Sequence, residues 1–252
     1  MKQKLLILGD SFGTDLDAIE IRNSIVTYHD ILKNSGLFTD VINLAVPSSS
    51  FWWAYKQFKR TYVADKTFVL WFVTIPGRIS NDRFGHVANH QDAELKLLTE
   101  SNLNHKASKD QLLKFYRATL DYYMYICDNE FDDHVQYTML ESILKNELHT
   151  DFLLVPCFKQ SLPENLNADL KSLVEVFYLE NTQLVSDPQH WHNFLLKNID
   201  RRPNHLTEPN HKILGKKIIE SIQDKKTILK IDVDDFVLPS ASEISKYIFK
   251  RS

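Results

Sequence analysis

The run Thr67-Phe68-Val69-Leu70-Trp71-Phe72-Val73 limits what this chain can fold into more than any other stretch. It carries no charge, is rich in β-branched and aromatic residues, and is too short for a buried helix, so it reads as a strand. It is apolar at every position rather than at every second one. Such a strand has both faces covered, as in the middle of a parallel sheet with helices on either side. Three further short apolar runs, at 4–9, 40–44 and 152–157, alternate with helical patterns. The alternation predicts an α/β fold, a three-layer α/β/α sandwich on a mostly parallel sheet.

The helical segments follow from spacing and caps. Ile21, Ile25, Tyr28 and Leu32 recur at helical intervals, and Gly36 closes that segment. Phe51-Trp52-Trp53 opens a second helix, with its aromatics expected in the core. Ser108 and Gln111 form a capping box ahead of a helix that carries Leu112, Tyr116, Leu120, Tyr123 and Cys127 on one face. Further helices are expected at about 132–148 and 165–178, and from Pro209 through Leu214, Ile218 and Ile222. Gln183-Leu184-Val185 reads as a short fifth strand. The polar, weakly periodic stretch after residue 78 begins an insertion, about 78–150, over the C-terminal edge of the sheet. A strand at 227–231 and a helix from Ser240 or Ser242 form a C-terminal extension, 225–252, on a domain of 1–224.

Size and charge narrow the partners. The 252 residues suit one large α/β domain, and a net charge of −3 gives no reason to expect nucleic acid or a membrane surface. Oligomeric state is left open. The two cysteines, Cys127 and Cys157, make no disulfide framework and are expected as buried thiols. The N-terminal apolar run is too short for a signal peptide, and no run approaches membrane-spanning length, so a cytoplasmic protein is expected. His190-Trp191-His192 has no further ligand cluster around it, and neither a metal nor a cofactor is expected.

The chemistry gathers at two distant points. The first strand ends Leu8-Gly9-Asp10-Ser11, which delivers one serine to the carboxyl edge of the sheet. In open α/β sheets ligands bind at that edge. A serine hydroxyl needs a base, and His205 is the candidate, in Pro203-Asn204-His205-Leu206-Thr207-Glu208-Pro209-Asn210-His211.

A strand leading into Gly-Asp-Ser, with His-Leu-Thr and a helix late in the chain, resembles the SGNH (GDSL-type) hydrolase family. The resemblance spans roughly residues 4–220, with its specific motifs at the two ends. It implies a flavodoxin-like fold and an esterase or other acylhydrolase activity on a small acyl ester, such as an O-acetylated carbohydrate. It implies Ser11 as nucleophile and His205 as base. The family's acid lies three residues before the histidine, where this chain has Arg202; Asp200 is the nearest carboxylate, and without it the site is a Ser-His dyad. Asn210 stands where the family has the glycine of its Gly-His step. The oxyanion donors implied are the Ser11 N–H, the N–H of Ser48 at the family's glycine position, and Thr74, since the family's asparagine after the third strand is absent. Phe72-x-x-x-Pro76-x-Arg78 resembles a divergent branch common in virus genomes, and suggests Arg78 for an anionic substrate group beside Asp10. The departures leave a rival, a catalytically silent binding or assembly module of the same fold.

Overall fold

The computed structural model describes residues 3–15, 25–99, 107–146, 151–167, 171–182 and 205–238. Four strands, β1 (Gln3–Gly9), β2 (Phe38–Asn43), β3 (Thr67–Val73) and a later strand Phe152–Pro156, form an all-parallel sheet. The first two expected strand bounds shift by a residue or two, and β3 matches its apolar run and is buried throughout. Helices lie on both faces, which gives the three-layer α/β/α sandwich expected from the alternation.

Side chains alternate between the two faces of a strand, so each run feeds two cores. Leu5, Ile7, Phe68, Leu70 and Phe72 face α1 (Tyr28–Asn34) and two late helices. Leu6, Leu8, Val69, Trp71 and Val73 face α2 (Phe51–Thr61). Between β3 and the strand Phe152–Pro156 come the hairpin β4 (Ile79–Asn81) and β5 (Gly85–Val87), then α3 (His90–Thr99), α4 (Lys109–Tyr125) and α5 (Asn129–Asn146). The strand Phe152–Pro156 is β6, and the order of the described sheet is β2-β1-β3-β6, the order of flavodoxin-like folds as far as these strands extend. Then follow α6 (Glu164–Asn167), α7 (Leu173–Thr182) and α8 (Glu208–Gln223).

Several expectations shift. Among the described residues the first helix starts at Tyr28, after Ile25, because both the N–H and the hydroxyl of Thr27 donate to Asp30 at 2.9 Å and set its N-terminus there. The helix expected at 165–178 is two helices, α6 and α7. Ser172 donates through its N–H and hydroxyl to Glu175, at 2.7 and 3.0 Å, and starts the second one. The insertion contains the β4–β5 hairpin, whose turn is set by Asn81 Oδ1 accepting from the N–H groups of Arg83 and Phe84. Periodicity over three-residue strands is too short to register. Cys127 lies past the end of α4 and is half-buried, whereas Cys157 is buried. Of the three aromatics opening α2, Phe51 stacks on Trp71 in the core, Trp52 is exposed and Trp53 is half-buried.

The tail makes one parallel bridge to β6, Ile228 beside Leu154, and buries Leu229, Ile231 and Phe236 in the core. The strand expected at 183–185 and the helix from Ser240 or Ser242 lie outside the described residues. Among the described residues, no helix is long and apolar enough to cross a membrane.

Candidate functional site

β1 can leave the sheet only through glycine. Gly9 has φ +125°, and a Cβ there would stand 2.1 Å from the Phe72 carbonyl oxygen on the neighbouring strand. The chain then turns tightly. The N–H groups of Gly13 and Thr14, and the Thr14 hydroxyl, donate to the Asp10 carbonyl. The Asp10 carboxylate is fully buried and accepts from the Phe12 N–H at 3.0 Å. Neighbouring elements fix the outside of the turn. Tyr28 Oη donates to the Phe12 carbonyl at 2.9 Å, and Asn43 Nδ2 donates to the Gly13 carbonyl at 2.9 Å. Asp10, Phe12, Gly13 and Thr14 are buried, and Ser11 is left half-exposed.

Arg78 holds the turn from the insertion side. Its Nη1 lies 3.0 Å from the Asp10 carboxylate, its side chain is 7 % exposed, and its guanidinium covers the Phe158 ring at 5.0 Å. Its charge is therefore committed to Asp10, and the two residues expected to meet substrate meet each other. Removing one partner of a buried, hydrogen-bonded pair costs about 3–5 kcal/mol, so the pair fixes the turn strongly. Burial pushes the Cys157 thiol well up, with the Asp10 carboxylate adding to the effect, so this thiol stays protonated.

His205 comes to the same place from the start of α8. Its ring centroid lies 5.0 Å from that of Phe12, the residue after Ser11, and 5.4 Å from that of Phe177. Its backbone is left-handed, φ +62°. For a non-glycine residue this costs of order 1–3 kcal/mol and persists only where surrounding contacts over-determine it. Among the described residues no hydrogen bond joins Ser11 to His205. Asp200, Arg202, His190 and His192 lie outside the described residues.

The β2–α2 loop supplies the next wall. Val46 N–H and Ser49 Oγ both donate to the Gly9 carbonyl, at 3.0 and 2.9 Å, which ties this loop to the Ser11 turn. Ser48, at the tip, has φ +61°, the left-handed conformation that glycine adopts freely. The turn is closed by Ser49 N–H on the Val46 carbonyl, and Ser48 is not needed for it. Thr74 is placed differently from expectation. It is 2 % exposed, its hydroxyl is sealed from solvent without a partner, and its carbonyl accepts from Gln136 Nε2 at 2.9 Å. It underlies the site rather than opening onto it.

Beyond Ser48 lies a cleft of about 840 Å³ between α2 and the insertion, within the usual size of small-molecule sites. Trp53, Phe84 and Tyr116 line it, with His86 on β5. His86 Nδ1 lies 2.8 Å from Ser80 Oγ, which also accepts from the Ser50 N–H at 2.7 Å. Burial, aided by the Lys96 charge, pushes the imidazole down to about 4, so it is neutral near pH 7. Neither Ser11 nor His205 lines this cleft among the described residues. Ser48 is where it meets the turn.

Sequence reasoning missed Tyr28, Asn43 and Ser49 as supports of the Ser11 turn, and Glu180 as a support of the His205 loop. Glu180 carried a signal: it continues the apolar stripe of Leu173 and Val176 and is fully buried with them. The chain matches no protein-family model, no curated protein and no solved structure.

Proposed function

We propose that the protein is a serine-dependent ester hydrolase or acyltransferase of SGNH type, related to the divergent branch that its Phe72–Arg78 stretch resembles, and that it works in the cytoplasm. The observation that carries this reading is the His205 ring against Phe12, beside the half-exposed Ser11 at the carboxyl edge of β1. The His205 ring thus packs against the ring of the residue that follows Ser11, although nearly two hundred positions separate them in sequence.

In this reading Ser11 Oγ attacks the acyl carbonyl and its proton passes to His205, with Asp200 as the orienting carboxylate. The oxyanion takes the N–H groups of Ser11 and Ser48; each such donor is worth about 2.7–4 kcal/mol to the transition state. His205 then protonates the leaving alcohol, and water, or a second alcohol, attacks the acyl-enzyme and frees Ser11. Catalytic pairs commonly tighten only when substrate binds, so an open Ser11–His205 arrangement agrees with the mechanism.

The cleft beyond Ser48 suits the alcohol side of the ester. Its cations, Arg60 and Lys96, are matched by Asp82 and Asp92, and His86 is neutral, so its lining carries no net charge. Aromatic faces among neutral hydrogen-bonding groups favour an uncharged carbohydrate ester over an ionic one. A second reading, a silent binding or assembly module, is favoured by Arg78 spending its charge on Asp10 and by the sealed Thr74 hydroxyl. A fluorophosphonate probe with peptide mass spectrometry separates them. The hydrolase reading expects the label on Ser11, lost in Ser11→Ala and reduced at least a hundredfold in rate in His205→Ala. Equal labelling of the wild type and Ser11→Ala removes it.

A further inference from the structure

A fully buried carboxylate sits behind the histidine loop. Glu180 on α7 accepts three hydrogen bonds at one oxygen, Oε1: from the Thr207 N–H at 3.0 Å, the Thr207 hydroxyl at 2.7 Å and Asn210 Nδ2 at 2.6 Å. Asn210 in turn exchanges two bonds of 2.8 Å with the backbone of Val237, so α7, the histidine loop, the start of α8 and the tail meet at this point. Leu206 and Thr207, the two residues after His205, are fully buried. Each of these three groups donates to Glu180. An ionised carboxylate is an acceptor only, and a charged acceptor makes bonds about twice as strong as a neutral one.

We infer that Glu180 is the positioning residue for His205. The left-handed backbone at His205 needs an anchor close by in the chain, and Glu180 grips the residue two positions on. Asn210 serves the same clamp. A glycine there has no side chain to reach Glu180 or Val237, which gives the asparagine a physical reason. The clamp keeps the imidazole between Phe12 and Phe177 and thereby over the Ser11 turn. As a catalytic role this rests on the hydrolase reading; as a conformational one it stands without it.

The test uses Glu180→Ala and Glu180→Gln in the full chain, with two readouts. The first is the position of the His205 ring-proton signals in NMR spectra, assigned by their loss in His205→Ala. The Phe12 and Phe177 ring currents displace these signals in the wild type. The clamp predicts that they move toward the values of exposed histidine in Glu180→Ala, and part of the way in Glu180→Gln, while amides of β1 and β3 stay protected from exchange. The second is the pH profile of fluorophosphonate labelling at Ser11. Its rate should fall at least tenfold in Glu180→Ala, and less in Glu180→Gln, with a changed pH midpoint that a purely global loss of stability would not produce. If Glu180→Ala does not fold, Glu180→Gln, which retains a carbonyl acceptor, decides. His205 signals that stay in place in a folded variant overturn the inference. A wild-type chain that takes no label on Ser11 overturns the hydrolase reading instead, and leaves the ring-proton test to judge the clamp.

Discussion

From Asp10 to Thr14 every residue but the serine is buried; hydrogen bonds from β2 and α1 converge on the backbone of this turn, and Arg78 of the insertion pairs with its Asp10 carboxylate. The segment that forms the far wall of the cleft is held differently. It has a small core of its own, Val87, Ala93, Leu112 and Tyr116, and it leaves Leu95, Leu98, Met124 and Tyr125 exposed. Among the described residues its polar links to α2 and to the loops beside the sheet include the Ser50 N–H donating to Ser80 Oγ, Lys56 Nζ donating to Asp82, and Tyr123 Oη donating to the Gly77 carbonyl. The proposed nucleophile therefore rests on the two large cores of the sheet, and the cleft wall on a smaller core of its own, which is expected to open more readily. Local opening of few-contact regions, with the core intact, is the general behaviour of such an arrangement.

Three substitutions probe that contrast, in falling order of effect. Gly9→Ala strikes the shared foundation, where a Cβ meets the Phe72 carbonyl oxygen at 2.1 Å. It should cost more than about 4 kcal/mol and abolish the folded state, seen as loss of the cooperative thermal transition. A stable Gly9→Ala protein would show that the exit from β1 is less constrained than its geometry. Leu112→Ala removes a buried side chain from the small core. About 2–5 kcal/mol is expected, the usual range for such truncations. It should appear as faster amide exchange across α3, α4 and the β4–β5 hairpin, with β1 and β3 unchanged. A uniform rise in exchange through the sheet would merge the two regions into one cooperative unit.

His86→Gln is the mildest. Burial holds the folded-state value at about 4, below the ordinary 6.5, so the unfolded chain binds the proton more readily. Stability contributed by keeping His86 neutral is thus complete above about pH 6.5 and declines as the pH falls toward 4. The variant should lose part of this decline, measured as a smaller drop in denaturation midpoint between pH 7 and pH 4.5. Identical slopes for the two proteins would place the imidazole in water rather than behind the cleft wall.

Much of the architecture was legible because its signals are local. An unbroken apolar strand, a glycine before Asp-Ser, and a capping box at Ser108 and Gln111 each act within a few residues. The candidate site was legible only at its two ends. The partners of Ser11 and His205 are polar residues whose meaning depends on what lies across the sheet. Arg78 reads as a free cation until Asp10 is found 3.0 Å away, and Thr74 reads as a donor until its hydroxyl is found sealed. Short strands such as β4 and β5 escape a pattern search because three residues hold too few alternations.

Taken alone, the order of apolar runs and helical stripes determined a parallel sheet covered on both faces, with a serine at the carboxyl edge of its first strand. That much follows from chain-local sterics and from the burial that each pattern demands. Tertiary structure alone decided that the imidazole of His205 comes to rest against Phe12, that Glu180 clamps the loop carrying it, and that the insertion and α2 enclose a neutral cleft beyond Ser48. Those outcomes depend on long-range packing, in which an ion pair or a buried carboxylate acquires its role only from the groups brought against it.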